Sequence, residues 1–469
     1  MIESFFATTN NILWGEWQVL IVLLVAAGIW FTLRLGALQI RHFTHMFGLM
    51  RSSTESDANG ISSFQALCTS LSARVGTGNL AGVAIAISLG GAGAVFWMWV
   101  IALLGMATGY AESLLAQVYK VKNSNGEYRG GPAYYIQQGL GNRWLAVVFS
   151  VCIFMGYGLF FSALQANTIA DALNHSYGLP TQAVGAIVTV VAGLIVIGGL
   201  RSIARFAEMV VPFMGAAYVL VAIGITLANI ELVPSMLSNI FLSAFGLQEA
   251  GSGAIGAAIK NGIQRGLFSN EAGSGSAPHA AAGATPNPNH PATQGYVQML
   301  GVFFDTIVLC TCTAMIILLS GFDNSSGELG GIRITQDAMQ AHIGIYGGHF
   351  VAAAITLFAF TSVVANFAYA QSNLRIFKLD TPNGNRAYII AYLAMVFWGA
   401  SATLKQVLAA ADTALGLMTV VNITALFLLT PTIVAVSKHY RNSRESGKKI
   451  SFKHRECVVQ GKLEGDAWD

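Results

Sequence analysis

Two stretches of this chain set glycines and polar residues inside otherwise apolar sequence: SARVGTGNLAG at 72–82 and GLFSNEAGSGSAP at 266–278. In the first, Gly76 and Gly78 bracket Thr77. Glycine leaves helical geometry at little steric cost, so an interruption is expected here. It frees the backbone N–H groups of Gly78 and Asn79 at the start of a second half-helix, where the helix dipole favours an anion such as a carboxylate. The preceding half-helix ends in carbonyls aimed at the same place, which suits a small hard cation. The competing reading is a glycine-lined contact between membrane helices. In the second stretch, carbonyls around Phe268 and Ser269 are placed to accept bonds from an ammonium, and the Phe268 ring is placed to close over a ligand. A lone aromatic in such a segment equally fits core packing.

Other polar residues carry two readings each. Glu271 is an ionisable group at membrane depth, where charge is costly and normally paired. Arg74 is its expected partner, with Arg265 and Lys260 as competitors, in a structural or gating ion pair. FFSALQANTIADAL (160–173) holds Gln165 and Asn167, either as substrate contacts or as links to a neighbouring helix. Thr361 and Ser362 offer hydroxyls that, with carbonyls of the first interrupted helix, make a neutral all-oxygen shell for Na⁺. Alternatively they bond back to their own helix. Glu112, Asp171 and Asp305 are assigned no role.

Some chemistries are excluded. GSGAIG (251–256) fits the dinucleotide-binding glycine pattern but lacks a preceding strand and a βαβ unit. There is no GxxxxGK[ST] phosphate loop, no HExxH and no Ser/His/Asp arrangement, so the chain is not expected to be an enzyme or a self-contained ATP-driven pump. The five cysteines are scattered and Cys310-x-Cys312 lacks a second ligand pair, so a metal role is not expected.

The elements that carry these residues follow from composition. Of 469 residues, 54% are hydrophobic and 10% charged, against roughly a quarter charged in soluble proteins. Apolar runs of ~20 residues, the length that crosses a ~30 Å hydrocarbon core, recur at about 13–33, 62–90, 94–119, 144–173, 181–199, 206–228, 253–279, 295–320, 345–374, 387–403 and 407–436. The expected fold is an all-α polytopic membrane protein. With the first loop cytoplasmic, most of the 25 Lys and Arg residues fall inside, and only Arg333 and Lys405 fall outside. That asymmetry predicts N-terminus out, C-terminus in, and the +3 net charge then needs no nucleic acid to explain it. The N-terminus reads as no cleavable signal, having no basic n-region. Polar stretches SSTESDANG (52–60), NSNGEYRGGP (123–132) and GFDNSSGELGG (321–331) read as loops, AYYIQQGL (133–140) as a short amphipathic piece, and 437–469 as a basic cytoplasmic tail, partly disordered.

The two interrupted spans are the first and sixth of ten counted from the second span. This spacing predicts two five-helix halves, about 62–228 and 253–436, related as an inverted repeat within a single transporter domain, 1–436, with 13–33 as an extra first helix. A matched pair of glycine-interrupted helices points to a midplane binding site in a secondary transporter.

GGAGAVFWMWVIALLG (90–105) closely resembles the signature of the alanine/glycine:cation symporter family, also called sodium:alanine symporters, of the amino acid/polyamine/organocation superfamily. RVGTGNLAGVA and RGLFSNEAGSGSAPHAAA are similar to that family's two broken helices, and the resemblance extends over about 10–440. It implies a leucine-transporter-like 5+5 inverted-repeat fold and Na⁺-driven import of a small neutral amino acid, alanine or glycine, extending to serine, across the plasma membrane (the inner membrane in a bacterium). It implies no organic cofactor and no obligate protein partner. Thr77, Gly78 and Asn79 would hold the carboxylate, with Gln165 and the region Phe268, Ser269 to Glu271 around the amine and side chain, and Gly273 beside them. The carbonyls of Ser72 and Val75 with the hydroxyls of Thr361 and Ser362 would hold Na⁺. Many members carry a tryptophan four residues beyond the second hydroxyl, and here that position is Asn366. Losing an indole enlarges or polarises the pocket, which leaves Na⁺- or H⁺-coupled import of a larger substrate such as glutamine as the alternative.

Overall fold

Apolar runs in a bilayer must satisfy their own backbone N–H and C=O groups, and the helix does this within one segment. The computed structural model describes residues 2–51, 60–123, 126–247, 252–322, 330–464 and 467–468, and these are mostly helical. The loop expectations at 52–59, 124–125 and 323–329, and the first residue of GSGAIG, lie outside the described residues.

The chain opens with α1 (Ile2–Leu13), which was not anticipated, and then α2 (Val19–Leu35), α3 (Leu38–Arg41) and α4 (Phe43–Arg51). A two-residue strand β1 (Ile61–Ser62) leads into α5 (Ser63–Arg74). Ser62 caps α5: its hydroxyl accepts from the Gln65 N–H at 3.0 Å while the Gln65 side chain accepts from the Ser62 N–H at 3.1 Å. The helix then breaks. Val75 is extended (φ −74°, ψ 96°), and the chain resumes as a π-helical turn, Gly78–Gly82, continuing into α6 (Val83–Gly90).

Next come α7 (Gly93–Val118), the strands β2 (Val121–Lys122) and β3 (Tyr128–Arg129), α8 (Pro132–Gly139), α9 (Arg143–Met155) and α10 (Phe161–Tyr177). A π-helical turn, Gly156–Phe160, joins α9 to α10. They are followed by α11 (Thr181–Val196), α12 (Gly199–Ala228), α13 (Val233–Ala244) and α14 (Ser252–Asn270). After Asn270 comes the second break. Glu271 (φ 56°), Gly273 (φ 90°) and Gly275 (φ 87°) all take positive φ. For the two glycines this is cheap; for Glu271 it is a local strain that the surroundings must over-determine. The Glu271 carboxylate is indeed tied to the Ser276 hydroxyl at 2.5 Å. After α15 (Pro278–Ala282), β4 (Ala284–Thr285) pairs in parallel with β1, so the entry to one broken helix is fastened to the exit of the other.

The remaining helices are α16 (Pro291–Val302), α17 (Thr311–Leu319), α18 (Ile332–Ile343), α19 (Ile345–Gln371), α20 (Pro382–Ser401), α21 (Leu404–Leu428) and α22 (Thr430–Glu445). Between α16 and α17 the chain runs π-helically over Phe303–Cys310. Among the described residues, six continuous helical segments are long and apolar enough to cross a membrane: Gly93–Val118, Arg143–Tyr177, Ser202–Ala228, Pro291–Leu319, Ile345–Phe377 and Leu404–Leu428. Among the other expected spans, α2 and α11 are shorter apolar helices, and the two containing α5 and α14 are interrupted. The expected last span, 407–436, divides at Leu429. Helix α7 is the post against which α2, α14 and α16 pack, while α10 lies against α19 and α20.

The tail corrects an expectation. It packs on the body rather than remaining loose. Phe452 and Trp468 are buried, the Trp468 indole donates to the Gln117 carbonyl at 2.7 Å, and the Tyr119 hydroxyl donates to the Gln460 carbonyl at 2.7 Å. Two aromatic residues in an otherwise polar segment supply the apolar area that holds it.

Candidate functional site

At the end of α5 the four oxygen-bearing positions expected for a cation come together. The Ser362 hydroxyl donates to the Ser72 carbonyl at 2.8 Å and lies 3.3 Å from the Val75 carbonyl. The Thr361 hydroxyl stands 3.5 Å from the Ser72 carbonyl, and the Ser72 hydroxyl donates to the Thr361 carbonyl at 2.9 Å. Both α19 hydroxyls also reach back to the Phe358 carbonyl of their own helix, at 2.8 and 3.1 Å. All four residues are buried.

The break itself is occupied by Gln165. Its side-chain oxygen accepts from the Thr77 N–H at 2.9 Å and from the Thr77 hydroxyl at 2.8 Å, and that hydroxyl also meets Thr168 at 3.0 Å. Here the amide links helices and sits at the released donors at once. The Asn79 side chain closes the break from the other side, accepting from the Gly76 N–H at 3.0 Å. The Asn79 N–H, expected to be open, lies 3.3 Å from the Gly76 carbonyl. Gly78 has no room for a side chain: a Cβ would sit 3.0 Å from Ser269 Cα and 3.1 Å from the Phe268 carbonyl. The two broken helices therefore touch backbone to backbone where each is interrupted. The Phe268 ring stacks on Phe161 at 5.0 Å, with the Arg265 guanidinium 5.3 Å from its centroid.

Three expected residues sit elsewhere. Asn167 donates to the carbonyls of Gly399 and Ala402 at 3.0 and 2.6 Å, which makes it a helix-to-helix link. Gly273 lies within the second break, facing Ile423 and Leu24, and its carbonyl accepts from Asn422 at 2.9 Å. Asn366 is one turn past Ser362, fully buried; its amide nitrogen is 3.4 Å from the Ser162 hydroxyl, and its side-chain oxygen has no partner among the described residues.

The Arg74–Glu271 ion pair is not formed. Arg74 is 1% exposed, yet none of its side-chain nitrogens has a hydrogen-bond partner among the described residues. Its competitor Arg265 pairs with Asp412 at 2.5 Å instead, since α14 carries Arg265 on the face toward α21. Two carboxylates that were given no role are built into the junction. Glu112 accepts from the Gly275 N–H at 3.2 Å and from Asn422 at 2.9 Å, bracing the second break. Asp305 accepts from Asn79 at 2.8 Å and from Ser269 at 2.6 Å, joining both broken helices. An acidic residue inside an apolar run was the available signal for each. Asp171, the third, pairs with Arg333 at 2.5 Å.

GSGAIG opens α14, and the strands among the described residues are two-residue pairs, so no βαβ unit surrounds it.

Two interrupted helices that meet inside an apolar helical bundle, with hydroxyls, amides and carbonyls gathered at the breaks, define a membrane transport protein. The chain belongs to the sodium:alanine symporter family, whose model matches residues 1–454. It is 45% identical over 473 residues to the uncharacterized transporter YaaJ of Escherichia coli (strain K12), covering 100% of this chain and 99% of that one. It is 43% identical to the probable sodium/glutamine symporter GlnT of Bacillus subtilis (strain 168), with 96% and 93% covered. To the sodium/alanine symporter AgcS of Methanococcus maripaludis it is 38% identical, with 95% and 99% covered. Among solved structures, a mutant of the Eremococcus coleocola manganese transporter shares the fold, with a TM-score of 0.52 at 12% identity, covering 86% of this chain and 85% of that one.

Proposed function

We propose that this chain imports a small neutral amino acid, alanine or glycine and extending to serine, together with Na⁺, by alternating access. The observation that carries the reading is the convergence of the Ser72 and Val75 carbonyls with the Thr361 and Ser362 hydroxyls beside the first break. Hard oxygen donors without charge suit a monovalent ion that must be both bound and released. The Gln165 oxygen held by Thr77 marks where an acceptor oxygen is welcome, and a substrate carboxylate fits the same donors. Phe268 and Ser269 supply the opposite wall.

The domain frame stays as read from the sequence: one transporter domain over 1–436, two halves at about 62–228 and 253–436 in inverted orientation, eleven crossings with the N-terminus out, and a cytoplasmic tail, in a plasma membrane. The basic residues and the paired breaks support this frame. Each charge moved inward draws about 2.3 kcal/mol per 100 mV, enough to accumulate substrate before the ion gradient is counted.

The test is uptake into proteoliposomes of a panel of L- and D-amino acids under Na⁺, Li⁺ and H⁺ gradients. Alanine or glycine accumulation that requires Na⁺ is expected; equal uptake in Na⁺ and choline would reject the coupling. One observation favours a second reading. The buried Asn366 oxygen without a partner offers an acceptor to a polar side chain such as that of glutamine, and a relative carries the name of a glutamine symporter. Glutamine displacing labelled alanine at similar concentration would select it.

A further inference from the structure

On the face proposed as cytoplasmic, the outer ends of both broken helices are covered. Ser62 and Ser63 at the start of α5, and Ala281, Ala282 and Ala284 after the second break, are each no more than 2% exposed. The pairing of β1 with β4 holds these two ends together. Alternating access requires this cover to part, so whatever fastens it sets how readily the path opens. The fastening comes from the end of α7. The Gln117 amide donates to the carbonyls of Ala281 and Ala284, and the buried Lys120 ammonium donates to the Ala284 carbonyl at 3.1 Å.

Gln117 and Lys120 are held in turn by the segment that follows α22. The Trp468 indole donates to the Gln117 carbonyl at 2.7 Å. The Lys120 ammonium lies 4.6 Å from the Trp468 ring centroid and 4.1 Å from that of Tyr128, an attraction that strengthens when the cation is desolvated. A second anchor reaches the chain between β4 and α16. There the Phe452 N–H donates to the Asn289 carbonyl at 3.0 Å, and its ring packs edge-on against His290 and Trp468. Between the two anchors, the Gln460 N–H donates to the Thr432 hydroxyl at 3.0 Å. The N–H groups of Lys462 and Glu464 donate to the backbone and side-chain oxygens of Gln138 on α8, at 3.0 and 2.9 Å. At Gly461 (φ 75°) a Cβ would fall 2.0 Å from the Gln138 carbonyl, so the segment lies flush on α8 only because this residue is glycine.

We propose that the segment carrying Phe452, Gln460 to Glu464 and Trp468 is an autoinhibitory clamp. Seated on α7, α8 and the start of α16, it holds the exit of the second broken helix shut and slows opening toward the cytoplasm. Contacts made in the closed state and lost in the open one shift the balance between them by the affinity they add. Because the segment is tethered, it meets its seat at high effective concentration and closes again after each opening. The clamp goes beyond the choice of substrate and ion, and it rests on the functional reading above for alternating access.

Two variants of the full chain unseat the segment at different points. Trp468→Ala removes the ring over Lys120, and Gly461→Ala lifts the backbone from α8. The reporter is Ser63→Cys, a near-isosteric change at a buried hydroxyl that has no partner among the described residues. Its labelling by a maleimide is timed on the purified protein in detergent, with the rate of the same chain lacking the reporter subtracted. Either variant is expected to label about tenfold faster, equivalent to ~1.4 kcal/mol, and to show a raised initial rate of alanine uptake in proteoliposomes. Labelling that stays unchanged in both variants overturns the clamp. Faster labelling with level or reduced uptake makes the segment a brace and overturns the inhibition. Should Trp468→Ala fail to fold, Gly461→Ala decides alone. If the unaltered chain takes up no amino acid under any gradient, the functional reading fails, and the labelling rates still decide whether the segment holds the exit shut.

Discussion

The Ser362 hydroxyl donates a 2.8 Å hydrogen bond to the Ser72 carbonyl, across 290 positions of chain. The bond fixes the middle of α19 against the end of α5, so a change at either end acts on both the break and the oxygen cluster. Ser362→Ala is expected to raise the Na⁺ concentration for half-maximal uptake about tenfold, the effect of losing one ligand worth ~1.4 kcal/mol. Gly76→Ala acts on the same point, because its Cβ would fall 2.5 Å from the Ser362 hydroxyl. Na⁺ titrations of alanine uptake check both, and an unaltered half-saturation in Ser362→Ala would remove Ser362 from the cation shell.

Gln165 satisfies two donors of Thr77 at once. Gln165→Ala leaves the buried Thr77 N–H short of an acceptor, at about 1–3 kcal/mol, while the Thr77 hydroxyl keeps Thr168 as its partner. A fall in thermal stability together with loss of uptake is expected. Gln165→Glu keeps an acceptor oxygen but places a negative charge beside the proposed carboxylate position. Its stability should stay closer to that of the unaltered chain while the half-saturation for alanine rises. The comparison of melting curves with uptake kinetics separates the two effects.

Arg265 and Asp412 form a buried pair, 4% and 8% exposed at their side chains, with Gln264 adding a bond to Asp412 at 3.0 Å. Removing one partner strands the other charge, at about 3–5 kcal/mol. Asp412→Leu alone should therefore destabilise the purified protein strongly. Arg265→Met with Asp412→Leu should recover most of that loss, because an apolar pair of similar volume needs no counter-charge. Thermal unfolding of the two single variants and the double variant measures the coupling.

Histidines at the cytoplasmic end of the proposed topology set a pH dependence. Burial pushes the His45 imidazole down to about 4, with Arg444 and His42 adding to the effect. Burial pushes His290 down to about 3, with His439 adding. Their rings bond to the Tyr440 hydroxyl at 2.9 Å and to His439 at 3.1 Å. Both stay neutral in the folded protein through a range in which the unfolded chain, titrating near 6.5, takes up protons. Their contribution to stability is full above about pH 6.5 and is lost as the pH falls toward 4 and then 3. Melting temperature should fall through that window, and the fall should be shallower in His290→Gln. An unchanged slope would show that His290 titrates in the folded state as it does in the unfolded one.

Much of this arrangement was legible in the chain, for identifiable reasons. The helical membrane class follows from apolar runs that must bond their own backbone. The breaks at 75–77 and 271–277 follow from glycines in runs where a bilayer asks for continuous helix, and Thr361 with Ser362 stood out as adjacent hydroxyls in such a run. Family membership was legible in GGAGAVFWMWVIALLG, and the match over residues 1–454 shows it.

What the sequence could not determine was which polar groups face one another. Arg74, Arg265 and Lys260 were all candidate partners for Glu271, because within a span every charge is equally in need of a counter-charge. Only the tertiary structure brought Asp412 of α21 to Arg265 of α14 and left Arg74 without a hydrogen bond among the described residues. In the same way, Asp305 read as one isolated carboxylate until the π-helical run at 303–310 turned it toward Asn79 and Ser269. The tail read as loose because its polarity is local, whereas the sites that receive Phe452 and Trp468 are made by distant residues. Residue types and their spacing fix where a membrane helix can cross or break, since that is a property of one segment. Pairing between segments depends on direction and distance in three dimensions, and only the tertiary structure supplies those.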